Sequence, residues 1–436
     1  MNLLKKIKIK LKSVATDFGI KTSLKFNSPF LTAVALAIAA SSVNRAGKYH
    51  VLCLGRSIFT NDVEALAYFG TNIRYKVLNL HYWHMIYDHF IPADERKKIS
   101  ESNYHNQPYG QIGKKRYNLY LTAMLPILKK IIGIDAVLAG NFGYVAQQEI
   151  AAVCEHKLNI PYIVLHKEGL TIPGTYARKV KLYQDYKFVG SKLLLYNEDI
   201  QKNLINANIS GINPDKTIVV GIPRFDYYFA DKNNKKNKLK QIAFFSFYPK
   251  DKFKFLIKDK HKRKIAETRC DNFHKWIINF AKKNPDYKII IKTKAAGYYL
   301  KYAQNVYQQN SSNSIKNIII TNSADPFKLI TDSIIITGFN STTLIEGIIN
   351  YKTVISPYFG DLITDRYWDY FPHYPQLINY AKSESELFEI MLKYNQHISN
   401  DSKAKKEFLY SQIFTPDGQA SLRVEKEIIK TIINQK

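Results

Sequence analysis

Four short stretches carry residues able to do chemistry, and each sits where an apolar run ends. The first is His166-Lys167-Glu168-Gly169, directly after the run Pro161 to Leu165. A carboxylate flanked by imidazole and ammonium groups is suited to take the proton from a hydroxyl while that oxygen attacks an electrophilic carbon. Glu168 is therefore the candidate general base, with His166 and Lys167 as its catalytic neighbours and Gly169 as a cleft residue. An isolated Lys-Glu pair is more often a surface ion pair of small energetic weight. What singles this one out is its place at a strand end, where open α/β sheets bind ligands.

The second stretch, Ile335 to Glu346, runs from an apolar strand through Gly338-Phe339-Asn340-Ser341-Thr342 into a helix. Asn340 or Ser341 can cap that helix. The N–H groups of its first turn, the positive end of its dipole and the clustered hydroxyls together suit a phosphate. Asn340, Ser341 and Thr342 are thus candidate donor-binding residues, although such a triplet also caps helices that bind nothing. Glu346, one turn further on, is placed to accept hydrogen bonds from a ribose or sugar hydroxyl.

The third stretch, Ile289 to Gly297, sets Lys292 and Lys294 at the end of another strand of the same half. Ammonium groups opposite a helix N-terminus would complete a clamp on a pyrophosphate. In the fourth, Val219 to Asp226, Gly221 and Pro223 make a turn, and Arg224 and Asp226 either pair structurally or face a cleft. No pair of acids in DxD spacing stands at a strand end, so no metal site is expected. The aromatic segment His81 to His89 reads first as core or loop packing, then as an acceptor-stacking surface, and last as a metal site.

Elements of the right kind lie in place to position these residues. From Tyr49 onward, short β-branched runs alternate with segments of helical period, the pattern of βα units around parallel sheets. This predicts an α/β protein in two halves, each built around a parallel sheet. Strands are expected at 49–54, 75–80, 135–139, 162–165 and 193–196 in the first half. In the second half they are expected at 241–245, 288–291, 317–321, 333–336 and 353–356. Helices are expected at 62–68, 117–131 and 144–156, then at 270–282, 298–308, 326–330, 342–349 and 384–394. The division predicted is a basic N-terminal segment with a packing helix over 1–48, an acceptor domain over 49–231 and a polar linker over 232–240. A nucleotide-sugar domain over 241–419 and a closing helix over 420–436, expected to cross back to the first domain, complete it.

The chain has 436 residues, 46% of them hydrophobic, enough for more than one core. Its formal charge of +28 admits nucleic acid, anionic membrane or phosphorylated small molecules as partners. Lys, Asn, Ile and Tyr are all abundant, which A- and T-rich codons alone would produce. No RRM signature, zinc-finger spacing or Arg-rich arm is present, so nucleic acid is not expected as a partner. Cys53, Cys154 and Cys270 lie far apart without a CxxC pair, as in a reduced, intracellular protein. The first ten residues mix apolar and basic side chains and read equally as a solvated tail or as a segment lying on an anionic membrane. The run Phe30 to Ala40 is too short to span a membrane and is expected to be a buried helix. The basic run Lys250 to Lys264 reads as a solvated face.

Taken in order, Gly140-Asn141-Phe142-Gly143-Tyr144, His166 to Gly169, Gly221 to Asp226 and Gly338 to Glu346 resemble the surface-carbohydrate and capsule-polysaccharide glycosyltransferases of GT-B architecture. Lys167-Glu168-Gly169 is similar to the acidic-acidic-Gly motif of bacterial sialyl- and polysialyl-type transferases, which implies Glu168 as base. Asn340-Ser341-Thr342 is similar to the Ser/Thr motif of those enzymes and of glycerophosphate transferases, which implies that Ser341 and Thr342 bind the donor phosphate. Where those enzymes carry His-Pro, this chain has Lys292-Thr293-Lys294-Ala295.

The resemblance implies two Rossmann-like domains with parallel sheets facing a cleft, in an enzyme of the cytoplasm or the inner face of its membrane; the lack of a DxD pair makes it metal-independent. Its co-substrate would be a nucleotide sugar of CMP or UDP type and its acceptor a glycan or lipid-linked glycan, with no other cofactor. Two alternatives stand beside it: a non-hydrolysing sugar-nucleotide epimerase, which shares the architecture, and a non-catalytic basic scaffold for glycans or membrane.

Overall fold

The computed structural model describes every residue except 1, 2, 56, 171, 173, 174, 184, 231–239, 312, 364–368, 372, 398–401 and 436. The expected linker falls almost wholly outside the described residues. The chain divides into two compact units, one of Met1–Leu170, Tyr176–Ala230 and Ser411–Lys436, the other of Thr171–Thr175 and Asp231–Tyr410.

The first unit is built on strands β1 (Ser41–Ser42), β2 (Tyr49–Gly55), β3 (Ile73–Asn79), β4 (Ala136–Ala139), β5 (Tyr162–Leu165), β6 (Lys192–Leu195) and β7 (Thr217–Val219). They lie in the order β1-β3-β2-β4-β5-β6-β7. Only the two-residue β1 runs antiparallel, against β3. β4 and β5 read AVLA and YIVL and every residue of both is buried, as strands covered by helices on both faces require. β7 was not expected, because three residues give too few alternations for a period to show.

Asp226 ties the chain's end to this unit. Its buried carboxylate accepts the N–H of Ala420 at 3.1 Å and of Ser421 at 2.7 Å, capping the helix Ala420–Gln435 from almost two hundred residues away. Further along that helix, Glu425 accepts the side-chain N–H of Asn72 at 2.9 Å.

Two helices precede the sheet, α1 (Leu3–Lys25) and α2 (Pro29–Ala39). Ser28 caps α2, its Oγ accepting the Leu31 N–H at 3.3 Å, and Pro29 takes the first turn where no donor is needed. The expectation of a buried helix over 30–40 holds for one face only: Thr32, Ala33, Leu36 and Ala39 are buried, whereas Phe30, Leu31 and Ile38 are exposed. The aromatic segment from His81 lies in the helix Leu80–Phe90, where Trp83 and Tyr87 are buried, so most of it serves the core.

The second unit holds strands β8 (Lys240–Phe245), β9 (Tyr287–Lys292), β10 (Ile318–Thr321), β11 (Ile335–Gly338), β12 (Thr353–Pro357) and β13 (Asn379–Ala381). All are parallel, in the order β10-β9-β8-β11-β12-β13. Relabelled along the chain this is 3-2-1-4-5-6, the Rossmann order. Its core packs Phe244, Phe253, Phe273, Phe280 and Phe339 around the apolar strands. Both halves are thus α/β with parallel sheets, as the alternation in the sequence predicts.

Candidate functional site

In a doubly wound sheet the chain builds strands outward on one side of its first strand and then on the other. The loops on either side of that reversal splay apart and leave a crevice. In the second unit the reversal lies between β8 and β11, where Gly338 pairs with Phe245. A Cβ on Gly338 would stand 3.1 Å from the Phe245 carbonyl oxygen, so a side chain there would crowd the strand ends.

Beyond Gly338, Asn340 adopts φ 46°, a left-handed conformation that Asn tolerates better than most residues. Ser341 follows as N-cap of the helix Thr342–Ile349. Its Oγ accepts the Thr343 N–H at 3.4 Å and lies 2.8 Å from the Thr343 Oγ1. The Thr342 N–H is among the first-turn donors that a helix cannot satisfy itself. Glu346 stands one turn along the same helix, its backbone oxygen accepting the Asn350 N–H at 3.1 Å.

The two lysines of the third stretch behave differently. Lys292 turns its ammonium back on the backbone, donating to the Thr293 oxygen at 2.6 Å and the Asn322 oxygen at 3.1 Å. Burial pushes its pKa down. Lys294 is exposed and stands over the Tyr299 ring, 5.2 Å from its centroid. Lys292 thus ties the ends of β9 and β10 together, and of the two lysines Lys294 is the one exposed to solvent.

Sequence reasoning missed two groups on the β8 side. Ser246 directly follows β8, and its N–H donates to the Lys292 oxygen at 2.9 Å. Its Oγ is 2.9 Å from His274 Nε2, while His274 Nδ1 is 2.8 Å from the Cys270 oxygen. A carbonyl can only accept, so Nδ1 carries the proton and Nε2 accepts the Ser246 hydroxyl. Burial holds His274 neutral, its pKa pushed down to about 4. A polar residue after a strand was the available signal for Ser246; nothing in a helical histidine 28 residues later points to it.

In the first unit, after the short β1, the reversal lies between β2 and β4, with Leu54 opposite Ala139. The loop after β4 is shaped by Asn141, whose Oδ1 accepts the Gly143 N–H at 2.9 Å. The next strand, β5, leads into the single turn Lys167–Gly169, and the Lys167 N–H donates to the Gly140 oxygen at 3.1 Å. The Glu168 turn is therefore anchored to the reversal loop from one strand away.

Lys167 Nζ lies 3.1 Å from one Glu168 oxygen and Lys179 Nζ 3.9 Å from the other. Partial burial alone would raise this carboxyl, but the Lys167 ammonium foremost, with Lys179, outweighs it and holds the pKa below the ordinary value. Glu168 is 38% exposed at its side chain, so it is an ionised carboxylate within reach of a ligand. His166 points the other way. It is fully buried, 3.2 Å from the Tyr176 hydroxyl, and its ring packs on Phe142. Burial pushes its pKa down to about 3. It cannot exchange protons with a ligand and instead packs behind the turn.

Gly169 is buried, and a Cβ there would run into Ile200, so its smallness serves packing. Arg224 does not pair with Asp226. Its Nη1 donates to both oxygens of the fully buried Asp62 at 3.0 and 3.1 Å and to the Tyr196 oxygen at 3.0 Å. Tyr196 in turn donates to Asp62 at 2.7 Å. These contacts bind the helix Ser57–Phe69, the end of β6 and the turn Pro223–Phe225 to one another. Among the described residues, no three His, Cys, Asp or Glu side chains gather as a metal site would need.

No family model matches the sequence, and no curated protein does. Among solved structures, the chain is similar to the UDP-GlcNAc 2-epimerase of Neisseria meningitidis bound to UDP-GlcNAc, with 14% identity over 88% of this chain and 100% of that one, TM-score 0.46. The Methanocaldococcus jannaschii UDP-GlcNAc 2-epimerase matches at 16% identity over 88% and 99%, TM-score 0.47. A glycosyltransferase from Rickettsia africae matches at 12% over 88% and 99%, TM-score 0.45.

Proposed function

We propose that the protein is a glycosyltransferase that moves a sugar from a nucleotide-activated donor to a growing surface polysaccharide or lipid-linked glycan. The observation that carries this reading is the reversal point of the second sheet, where the Ser341-capped helix begins beside β8. The donor phosphate is assigned to the first-turn N–H groups and hydroxyls of Ser341 and Thr342, with Lys294 offsetting the charge that develops on the leaving nucleotide. Asn340 sets the turn, Lys292 fixes the strand ends, and Glu346 is assigned to a sugar hydroxyl.

In the reaction, the acceptor oxygen forms a bond to the anomeric carbon as the bond from that carbon to the phosphate oxygen breaks. The electron pair leaves with the nucleotide, and the acceptor proton passes to the Glu168 carboxylate. Lys167 and Lys179 keep that carboxylate ionised before the step, and His166 supports the turn from behind.

A second reading, a sugar-nucleotide epimerase, gains from one observation. Glu101 accepts the Tyr186 hydroxyl at 3.0 Å beside the Gly143 loop, which adds a second carboxylate to the strand ends that hold Glu168. An epimerase needs such acid and base partners; a transferase needs one base.

The test is calorimetric titration of CMP, CDP, UDP, GDP and their common sugar conjugates into the wild-type protein, Ser341→Ala and Glu168→Gln. One nucleotide bound tightly by wild type, weakly by Ser341→Ala and normally by Glu168→Gln supports the assigned donor site. Deuterium from D2O appearing in the recovered nucleotide sugar selects the epimerase. Binding of no nucleotide overturns both readings in favour of a scaffold that binds glycans or membrane without catalysis.

A further inference from the structure

The outward face of the two N-terminal helices is more apolar than a surface in water usually is. On α1, Leu11, Val14 and Phe18 follow one another at helical spacing and are 64%, 58% and 72% exposed. The opposite face, which packs inward, mixes two apolar residues, Ile20 and Leu24, with two hydroxyls: Thr16 and Ser23 are buried as well, and Ser23 Oγ lies 2.5 Å from Thr32 Oγ1, itself 2.6 Å from the Tyr120 hydroxyl. A helix that only covered a core would keep charged or polar side chains where Leu11, Val14 and Phe18 stand.

Past α1, Phe26, Phe30, Leu31 and Ile38 are exposed as well. Lys12, Lys21 and Lys25 are exposed on α1 as well, and from Leu3 to Ala39 the sequence has seven lysines against one aspartate. Beside the turn joining the helices, a groove of about 560 Å³ is lined by Asn27, Pro29, His89, Arg116 and Leu119 among others. So many large apolar side chains exposed on two successive helices are unusual on a protein that stays monomeric in water, and the lysines among them state the sign of what covers them.

We infer that this face docks on an anionic lipid bilayer, with Leu11, Val14, Phe18, Phe26, Phe30 and Leu31 entering the boundary between headgroups and acyl chains and the lysines meeting lipid phosphates. Charge complementarity selects the partner: a second copy of this chain would bring the same lysines against these, whereas an anionic leaflet attracts them. No described helix is long and apolar enough to cross a membrane, so the contact lies in the plane of the interface. The inference does not depend on the proposed enzymatic activity.

The experiment is co-sedimentation of the full chain with vesicles of phosphatidylcholine alone and of an equal mixture of phosphatidylcholine and phosphatidylglycerol. The protein is expected to pellet with the anionic vesicles, to stay in solution with the neutral ones, and to be released in part by high salt. The double substitution Phe18→Asp and Phe30→Asp, at exposed positions, is expected to weaken partitioning by at least about tenfold with an unchanged melting temperature. Should that variant fail to fold, Phe26→Ser with Leu31→Ser makes the same test. Failure to pellet with either vesicle overturns the inference, as does undiminished binding by the apolar variants. A dimer in sedimentation velocity that the same variants dissolve also overturns it, since the covering partner is then a second copy.

Discussion

The sharpest prediction concerns Arg224, because its sequence context allows a ligand-facing role and the structure buries it against Asp62. Replacing Arg224 with Met keeps the aliphatic stem and removes the guanidinium. The Asp62 carboxylate, fully buried, then retains only the Tyr196 hydroxyl at 2.7 Å and the Arg224 backbone N–H at 3.2 Å. Breaking a buried ion pair from one side costs about 3–5 kcal/mol, most of it the penalty of an uncompensated charge. In a domain of this size each kcal/mol lowers the melting temperature by about 2–4 °C, so calorimetry should show a fall on the order of 10 °C.

Removing the carboxylate as well, in Arg224→Met with Asp62→Leu, should recover part of that loss, because no charge is then buried, while the Tyr196 hydroxyl and the residue 224 N–H lose their acceptor. Tyr196→Phe removes hydrogen bonds but no charge and should cost about 1–2 kcal/mol. Nucleotide binding should survive in every variant that remains folded. A stability change within about 0.5 kcal/mol, the size of an ordinary surface substitution, together with lost nucleotide binding, would refute the reasoning and return Arg224 to the site.

Three further outcomes are expected. Asp226→Ala should destabilise the first unit by about 1–2 kcal/mol through the lost cap on Ala420–Gln435, and hydrogen exchange should show that helix opening first. His166 and His274 are held at about 3 and 4 against an ordinary 6.5, so the unfolded chain binds more protons than the folded one as pH falls below 6.5. Their contribution is fully present above pH 6.5 and is lost on acidification, about 2 kcal/mol for each by pH 5; a thermal melt of His274→Gln should fall less steeply between pH 7 and 5 than wild type. Turnover, once a donor is found, should persist in EDTA; its loss and return with magnesium or manganese would overturn the lysine and helix-terminus account of leaving-group charge.

Much of the architecture is legible in the sequence because it is written locally. Fully buried parallel strands appear as unbroken apolar runs, as β4 and β5 do, and β8 and β9 carry shorter ones at 242–245 and 289–291. A cap at Asn340 or Ser341 is legible for the same reason, since capping needs only the residue and the turn that follows it; the left-handed φ of Asn340 leaves the role to Ser341. β7 and β13, three residues each, fall below the length at which any period can register, and the outward Phe30, Leu31 and Ile38 look in sequence like the rest of an apolar helix.

What the tertiary structure decided is which partner each polar group meets. His166, Lys167 and Glu168 are consecutive and were read as one catalytic group, yet a strand end sends neighbouring side chains to opposite sides, one into the core and one toward solvent. Lys292 and Lys294 differ in the same way. Arg224 and Asp226 stand two apart and pair with residues 162 and 194 positions away instead of with each other. Composition and local pattern determine where strands, turns and caps can form. Long-range burial determines which charges are consumed in holding the fold and which remain for a ligand, because an ion pair is set by distance through space and by desolvation, neither of which the order of residues records.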